Sequence, residues 1–152
     1  MFEIRPDDLS GEKVRALLAL HLAGMQASSP AGSVFALDLS GLMVPEVSVW
    51  TVWRGDAIAG VGALRALGGG IGEVKSMRTH PDFLRMGVGR LLLDFLIGEA
   101  RGRGWRRLSL ETGRGPSFAA AEALYVGRGF VEGEAFGDYV GGGFNRFFHL
   151  AI

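Results

Sequence analysis

Gly72-Glu73-Val74-Lys75-Ser76-Met77-Arg78-Thr79-His80-Pro81, followed closely by Leu84-Arg85-Met86-Gly87-Val88-Gly89-Arg90, is the stretch in which the period of the chain changes. Gly72 to Thr79 reads as a strand. Past Gly87 the apolar residues Val88, Leu91, Leu92, Phe95 and Leu96 fall on one face of a helix that ends near Gly102-Arg103-Gly104. A glycine-bearing loop that runs from a strand into a helix offers unpaired backbone N–H groups and the positive end of the helix dipole, which together bind phosphate. A Cβ at Gly87 or Gly89 would hold a diphosphate off the backbone. The same two glycines would also serve close packing of helix on sheet. Two familiar phosphate motifs are excluded. A dinucleotide fingerprint needs a third glycine where Leu92 stands, and a P-loop needs Gly-Lys-Ser/Thr.

Working outward, Phe2-Glu3-Ile4-Arg5 reads as a first strand. Asp8 or Ser10 can cap a helix whose apolar positions are Val14, Leu17, Leu18, Leu22 and Met25. Residues 33–46 have no period, and Leu37 to Leu42 reads as a turn or loop. Val47 to Trp53, a turn at Arg54-Gly55-Asp56, and Ala57 to Leu67 form a hairpin, and Gly68-Gly69-Gly70 turns the chain into the strand at Gly72. Arg107 to Thr112 is the next strand, and Pro116-Ser117 opens a helix that runs through Tyr125 to Gly127 or Gly129. Phe130 to Ile152 reads as two strands around Gly141-Gly142-Gly143. The order β-α-β-β-β-α-β-α-β-β predicts one α/β domain over residues 1–152. Its centre is a mixed, mostly antiparallel sheet with helices on both faces.

Composition narrows the function. The 152 residues carry 16 basic and 16 acidic side chains, and this balance removes the electrostatic case for general nucleic-acid binding. With no cysteine, disulfides, thiol nucleophiles and Cys-based zinc sites are ruled out. The three histidines, His21, His80 and His149, lie far apart in the chain, so no metal is expected. The apolar runs are too short to span a membrane and the N-terminus lacks the pattern of a signal peptide, which predicts a cytoplasmic protein.

Gly72 to Pro81 followed by Arg85-Met86-Gly87-Val88-Gly89 resembles the strand–loop–helix of GNAT acetyltransferases, and Leu124-Tyr125-Val126-Gly127-Arg128-Gly129-Phe130 resembles the family's second signature. The likeness spans roughly residues 45 to 150. The tail, with Phe136-Gly137-Asp138-Tyr139 and Asn145-Arg146-Phe147-Phe148, is similar to a bacterial subgroup labelled YsnE-like. The family usually has Gln or Arg where this chain has Leu84, a difference that bears on affinity for the cofactor and not on the fold. The resemblance implies acetyl-CoA as co-substrate. The amides of Arg85, Met86, Gly87, Val88, Gly89 and Arg90 would hold its diphosphate. The main chain around Met77, Arg78 and Thr79 would pair with its pantetheine arm like an added strand.

Moving an acetyl group onto an amine requires a base for the ammonium proton and benefits from an acid for the departing thiolate. Without a Ser-His-Asp pattern or a cysteine, direct attack is the expected route. Glu73 is the expected base, on the strand that leads to the cofactor loop; the plainer alternative is a solvated strand end. Glu111 is the second choice, or else a partner for an arginine. Tyr125 is the expected acid, because a phenol with a pKa near 10 is protonated at rest yet close to a thiol, and its alternative is a core aromatic. Strand alternation puts Lys75 on the face of Glu73 and Arg78 on the other. Lys75 would bind an acceptor carboxylate or serve as an edge-strand charge. Phe35, Trp50, Trp53 and Tyr139 would form an acceptor wall or belong to the core.

The acceptor would be an amine on a small molecule or a protein. Other readings stay open on the same fold: a non-catalytic acyl-CoA-binding module, or the subunit of a symmetric homodimer whose tail strands and aromatics form the contact.

Overall fold

Three consecutive runs rich in Val, Ile, Ala and Gly pair antiparallel and form the centre of the molecule, β2 (Val47–Arg54), β3 (Ala57–Gly68) and β4 (Ile71–Thr79). The computed structural model describes residues 1–152. Before the centre come β1 (Glu3–Asp7), α1 (Glu12–Ser28) and the short α2 (Leu39–Leu42). After it come α3 (Val88–Gly102), β5 (Arg107–Thr112), α4 (Ala119–Gly127), β6 (Val131–Gly133) and β7 (Arg146–Ala151). All seven strands join one sheet in the order β1-β2-β3-β4-β5-β7-β6, in which only the β4–β5 pair is parallel. The expected architecture is present.

Helices cover both faces. On one, Val14, Leu17 and Leu18 of α1 pack with Leu42 of α2 against Val49, Ile58, Val61 and Ala63. On the other, Leu92, Leu93, Leu96 and Ile97 of α3 meet Trp50, Val52, Leu64, Val74, Leu108 and Leu110, and Tyr125 of α4 joins the same cluster. Each Val, Leu or Ile among them contributes roughly 1.5–3 kcal/mol by leaving water. The buried stripe of α3 runs through Leu93 and Ile97, with Leu91 exposed, so the helix is rotated slightly from the face expected. α3 starts close on the sheet because β3 has glycines, Gly60 and Gly62, beneath its first turns. A Cβ on Gly60 would come within 2.8 Å of Val88 Cγ1, and one on Gly62 within 2.9 Å of Leu92 Cδ2.

Local details differ from expectation. Leu39–Leu42 is a turn of helix within the stretch expected as a turn or loop, started by Asp38, whose Oδ1 accepts the Gly41 N–H at 2.9 Å. α1 begins at Gly11 without a side-chain cap, since Asp8 Oδ1 instead accepts from the Ser10 N–H and hydroxyl.

The feature that positions the site is where two strands part. β4 pairs with β5 only at Ile71, Gly72 and Glu73, opposite Arg107, Leu108 and Ser109. Beyond Glu73 the two separate while β4 stays on β3. Gly62 of β3 then faces both Ser76 and Met77, a bulge at which Ser76 takes φ +56°.

Candidate active site

The parting opens a cleft of about 850 Å³ bordered by β4, β5, α1, α3 and α4. One wall is backbone. From Val74 to Thr79 the β4 edge that faced β5 has no strand beside it. At its end Gly87 caps α3 with φ +82°, a value that costs a residue with a Cβ roughly 1–2 kcal/mol. Leu91 N–H is the first to bond back into the helix, to Gly87 O at 3.0 Å, so the N–H groups of Val88, Gly89 and Arg90 have no carbonyl of the helix to meet. Arg85 also takes a left-handed φ of +60°. Gly89 lets α4 close over this turn, since a Cβ there would lie 3.3 Å from Leu124 Cδ2. Met77, Arg78, Thr79, Leu84, Arg85, Gly87, Val88, Gly89 and Arg90 all line the cleft, whereas Met86 is turned to solvent.

The other wall is built of charged side chains. Glu73 is buried, and its Oε2 accepts from Lys75 Nζ at 3.2 Å and from the Tyr139 hydroxyl at 2.5 Å. Lys75 Nζ also donates to the Tyr139 oxygen at 2.7 Å and reaches the Phe35 carbonyl at 3.5 Å. Phe35 stands edge-on to the Tyr139 ring, 5.1 Å between centroids. Burial pushes the Tyr139 phenol well above its ordinary range, with the Glu73 charge adding to it, so it stays a donor. Glu111, on the same wall, has no cation in contact, and its Oε2 accepts from Asn145 Nδ2 at 2.7 Å. Burial raises the Glu111 carboxyl above the usual carboxylate value, against the lowering effects of Asn145 and Lys75. Asn145 also reaches the Ser33 carbonyl at 3.1 Å, which ties residues 29–38 to the start of β7.

Tyr125 is buried and packs edge-on against Phe130, 5.8 Å between centroids, yet it also lines the cleft. Its phenol is pushed up to about 12, first by burial and then by the charge of Glu111, with Arg78 opposing. It is therefore protonated at any physiological pH. Arg78 lies on the α1 side, the face of Glu73 and Lys75, and this corrects the alternation: the extra residue at the Ser76 bulge shifts the parity of all that follows. Its Nε donates to His21 Nδ1 at 3.0 Å and its Nη2 to the His21 carbonyl at 3.4 Å. Burial, then Arg78 and Lys75, lowers His21 to about 4, so the ring is neutral and accepts through Nδ1.

The comparison with protein families settles the class. Residues 15–130 match the acetyltransferase (GNAT) family model. The chain belongs to the GNAT acetyltransferase family. This GNAT domain is 45% identical over 152 residues to the uncharacterized N-acetyltransferase YedL of Escherichia coli (strain K12), covering 100% of the chain and 96% of the relative. It is 47% identical over 136 residues to the uncharacterized N-acetyltransferase YsnE of Bacillus subtilis (strain 168), covering 90% of each. Among solved structures, an acyl-CoA N-acyltransferase from Klebsiella pneumoniae superposes with a TM-score of 0.83 at 28% identity, over 99% of this chain and 97% of that one. An acetyltransferase from Bacillus subtilis in complex with CoA shares the fold, with a TM-score of 0.74 at 18% identity over 100% and 99%.

Within this GNAT domain, Glu73 and Tyr125 line one cleft together with the glycine loop. Glu73 is no solvated strand end and Lys75 no solvated edge charge, because both side chains are buried and paired with each other. The expected aromatic wall divides. Phe35 and Tyr139 meet at the cleft. Trp50 belongs to the core under α3, and Trp53 lies beside Arg5 and Lys13 near the start of the sheet. His21 and Asn145 were not singled out as site residues. His21 was visible as the polar member of an apolar helix face, and Asn145 carries no signal in sequence. No group of three or more His, Asp and Glu side chains is placed to hold a metal ion.

Proposed function

We propose that this acetyltransferase uses acetyl-CoA to acetylate a primary amine by direct attack, with Glu73 as base and Tyr125 as acid. One observation carries the reading: β4 and β5 part immediately after Glu73, so a carboxylate stands at the apex of a cleft whose backbone wall suits acyl-CoA. The open edge around Met77 and Thr79 would pair with the pantetheine amides, and the free N–H groups from Arg85 to Arg90 would face the diphosphate. CoA bound to a solved relative of the same fold supports this placement. An amine arriving from the α1 side gives its proton to Glu73, attacks the thioester carbonyl and expels CoA thiolate. Tyr125, held near pKa 12, donates a hydrogen bond to the sulfur and yields its proton as charge builds there, while the second proton of the attacking nitrogen passes to the Tyr125 oxygen, so that neutral amide and CoA thiol leave.

Glu111 has its own claim to the base, because it lacks a cation partner and burial raises its carboxyl toward working pH. The two readings separate by kinetics. With an amine acceptor and thiol release as readout, Glu73→Gln should lower kcat by about 10²-fold or more and Glu111→Gln by less. Tyr125→Phe keeps the ring in its packing and should lower kcat by about 10-fold or more with acetyl-CoA affinity unchanged. The reverse order for the two glutamates moves the base to Glu111. A normal rate for Tyr125→Phe returns that residue to the core. We place the enzyme in the cytoplasm. Its exposed β6 edge suits a homodimer, which light scattering on the purified protein would detect.

A further inference from the structure

The acceptor wall contains two carboxylates and two cations, and they are unequally matched. Glu73 and Lys75 close on each other at 3.2 Å, and Lys75 spends further hydrogen bonds on Tyr139 and the Phe35 carbonyl. Lys75 therefore has little left to offer an acceptor. Glu111 meets only the neutral Asn145 among side chains. Arg78 meets only His21, through a ring nitrogen and a carbonyl, and takes no carboxylate. A guanidinium has five N–H donors in a rigid fork, so three of the Arg78 donors are unspent in a cleft. A partly buried cation without a counter-ion is costly, and a ligand that brings one is favoured.

The surroundings are built to hold that fork and not to neutralise it. Gly24 of α1 leaves room for it, since a Cβ there would lie 3.1 Å from Arg78 Nη2. The bulge at Ser76 turns it to the α1 face, while Met77 points to α3, its Sδ 2.8 Å from where a Gly62 Cβ would be. The free amides of α3 belong to the face of Met77, across β4 from Arg78. The cofactor diphosphate is thus not the natural partner of this guanidinium.

We propose that the acceptor is a zwitterionic amine of the amino-acid class, whose carboxylate is held by the Arg78 fork while its amino group is presented to the carboxylates of Glu73 and Glu111 on the same wall. This rests on the amine-acetylating function above. Arg78 acts by binding substrate, with His21 as its positioning residue, and neither takes part in proton transfer.

The test uses thiol release from acetyl-CoA with three matched series: the protein amino acids, their carboxamides, and the amines left when the carboxylate is removed. Wild type should favour an amino acid over its two neutralised partners by about 10- to 100-fold in kcat/KM, the range of a charge-assisted hydrogen-bonded pair. Arg78→Gln should bring that ratio close to one by raising the amino-acid KM, with the KM for acetyl-CoA and the far-UV spectrum unchanged. Arg78→Lys, which keeps the charge but loses the fork, should recover only part of it. Equal turnover of all three series by wild type overturns the assignment and leaves amine acetylation standing. So does a variant that keeps the preference, or one in which the KM for acetyl-CoA rises instead. Release of thiol with no amine at all, while CoA still binds, overturns both.

Discussion

On the α3 face of β4 the groups proposed to meet acetyl-CoA are backbone amides and an open strand edge; on the α1 face the groups proposed to meet the acceptor are ionisable side chains from α1, β4, β5 and the segment before β7. The first wall depends on conformation, on Gly87 at φ +82° and on the parting of two strands. The second depends on burial, because charges packed together out of water change one another's chemistry. Substitutions on one wall should therefore be read in binding, and on the other in rate, selectivity and pH dependence.

The largest effect on stability is expected at the buried pair. Lys75→Met leaves the Glu73 carboxylate in a buried site with only the Tyr139 hydroxyl for company and should cost about 3–5 kcal/mol in urea unfolding. Adding Glu73→Gln to that background should restore most of the loss, since the charge without a partner is then gone. A single variant as stable as wild type would show that the pair carries no such burden.

His21 gives the next effect, with a defined sign. Its folded value near 4 lies below the ordinary 6.5, so the unfolded chain binds a proton that the folded one refuses. The stability from this group is full above about pH 6.5 and falls as pH drops toward 4, by about 3 kcal/mol in all. His21→Gln should flatten that part of the stability profile. An unchanged profile would mean that the ring is not held neutral. At the small end, prolonged chelation should leave the rate unchanged; loss of activity restored by one metal would contradict the expectation of a metal-free reaction.

These two walls also differ in how far the sequence discloses them. The strand–loop–helix around Gly87 is local, its period switches within a few residues, and phosphate-binding geometry follows from contiguous backbone. The order of the elements along the chain and the mixed, mostly antiparallel sheet were legible for the same reason. The acceptor wall joins His21, Glu73, Glu111, Tyr139 and Asn145, which share no local pattern, so only folding brings them together. Arg78 shows the limit most plainly. Strict alternation sends it to the wrong face, and one bulged residue, Ser76, reverses the outcome. Leu39–Leu42 reads only as part of a turn or loop, because a four-residue helix is too short to show a period.

The most direct measurement pairs one substitution from each wall, with acetyl-CoA affinity by calorimetry and the acetyl-transfer rate in a single turnover at saturating acetyl-CoA. Gly87→Val should weaken acetyl-CoA binding by about 10-fold or more and leave the saturated transfer rate near normal, because it disturbs only the backbone proposed to face the diphosphate. Glu73→Gln should do the opposite, keeping affinity while the transfer step slows by about 10²-fold or more. Parallel losses of affinity and rate in both variants, or a Glu73→Gln enzyme that transfers acetyl at the normal rate, would contradict the division of the cleft into a binding wall and a reacting wall.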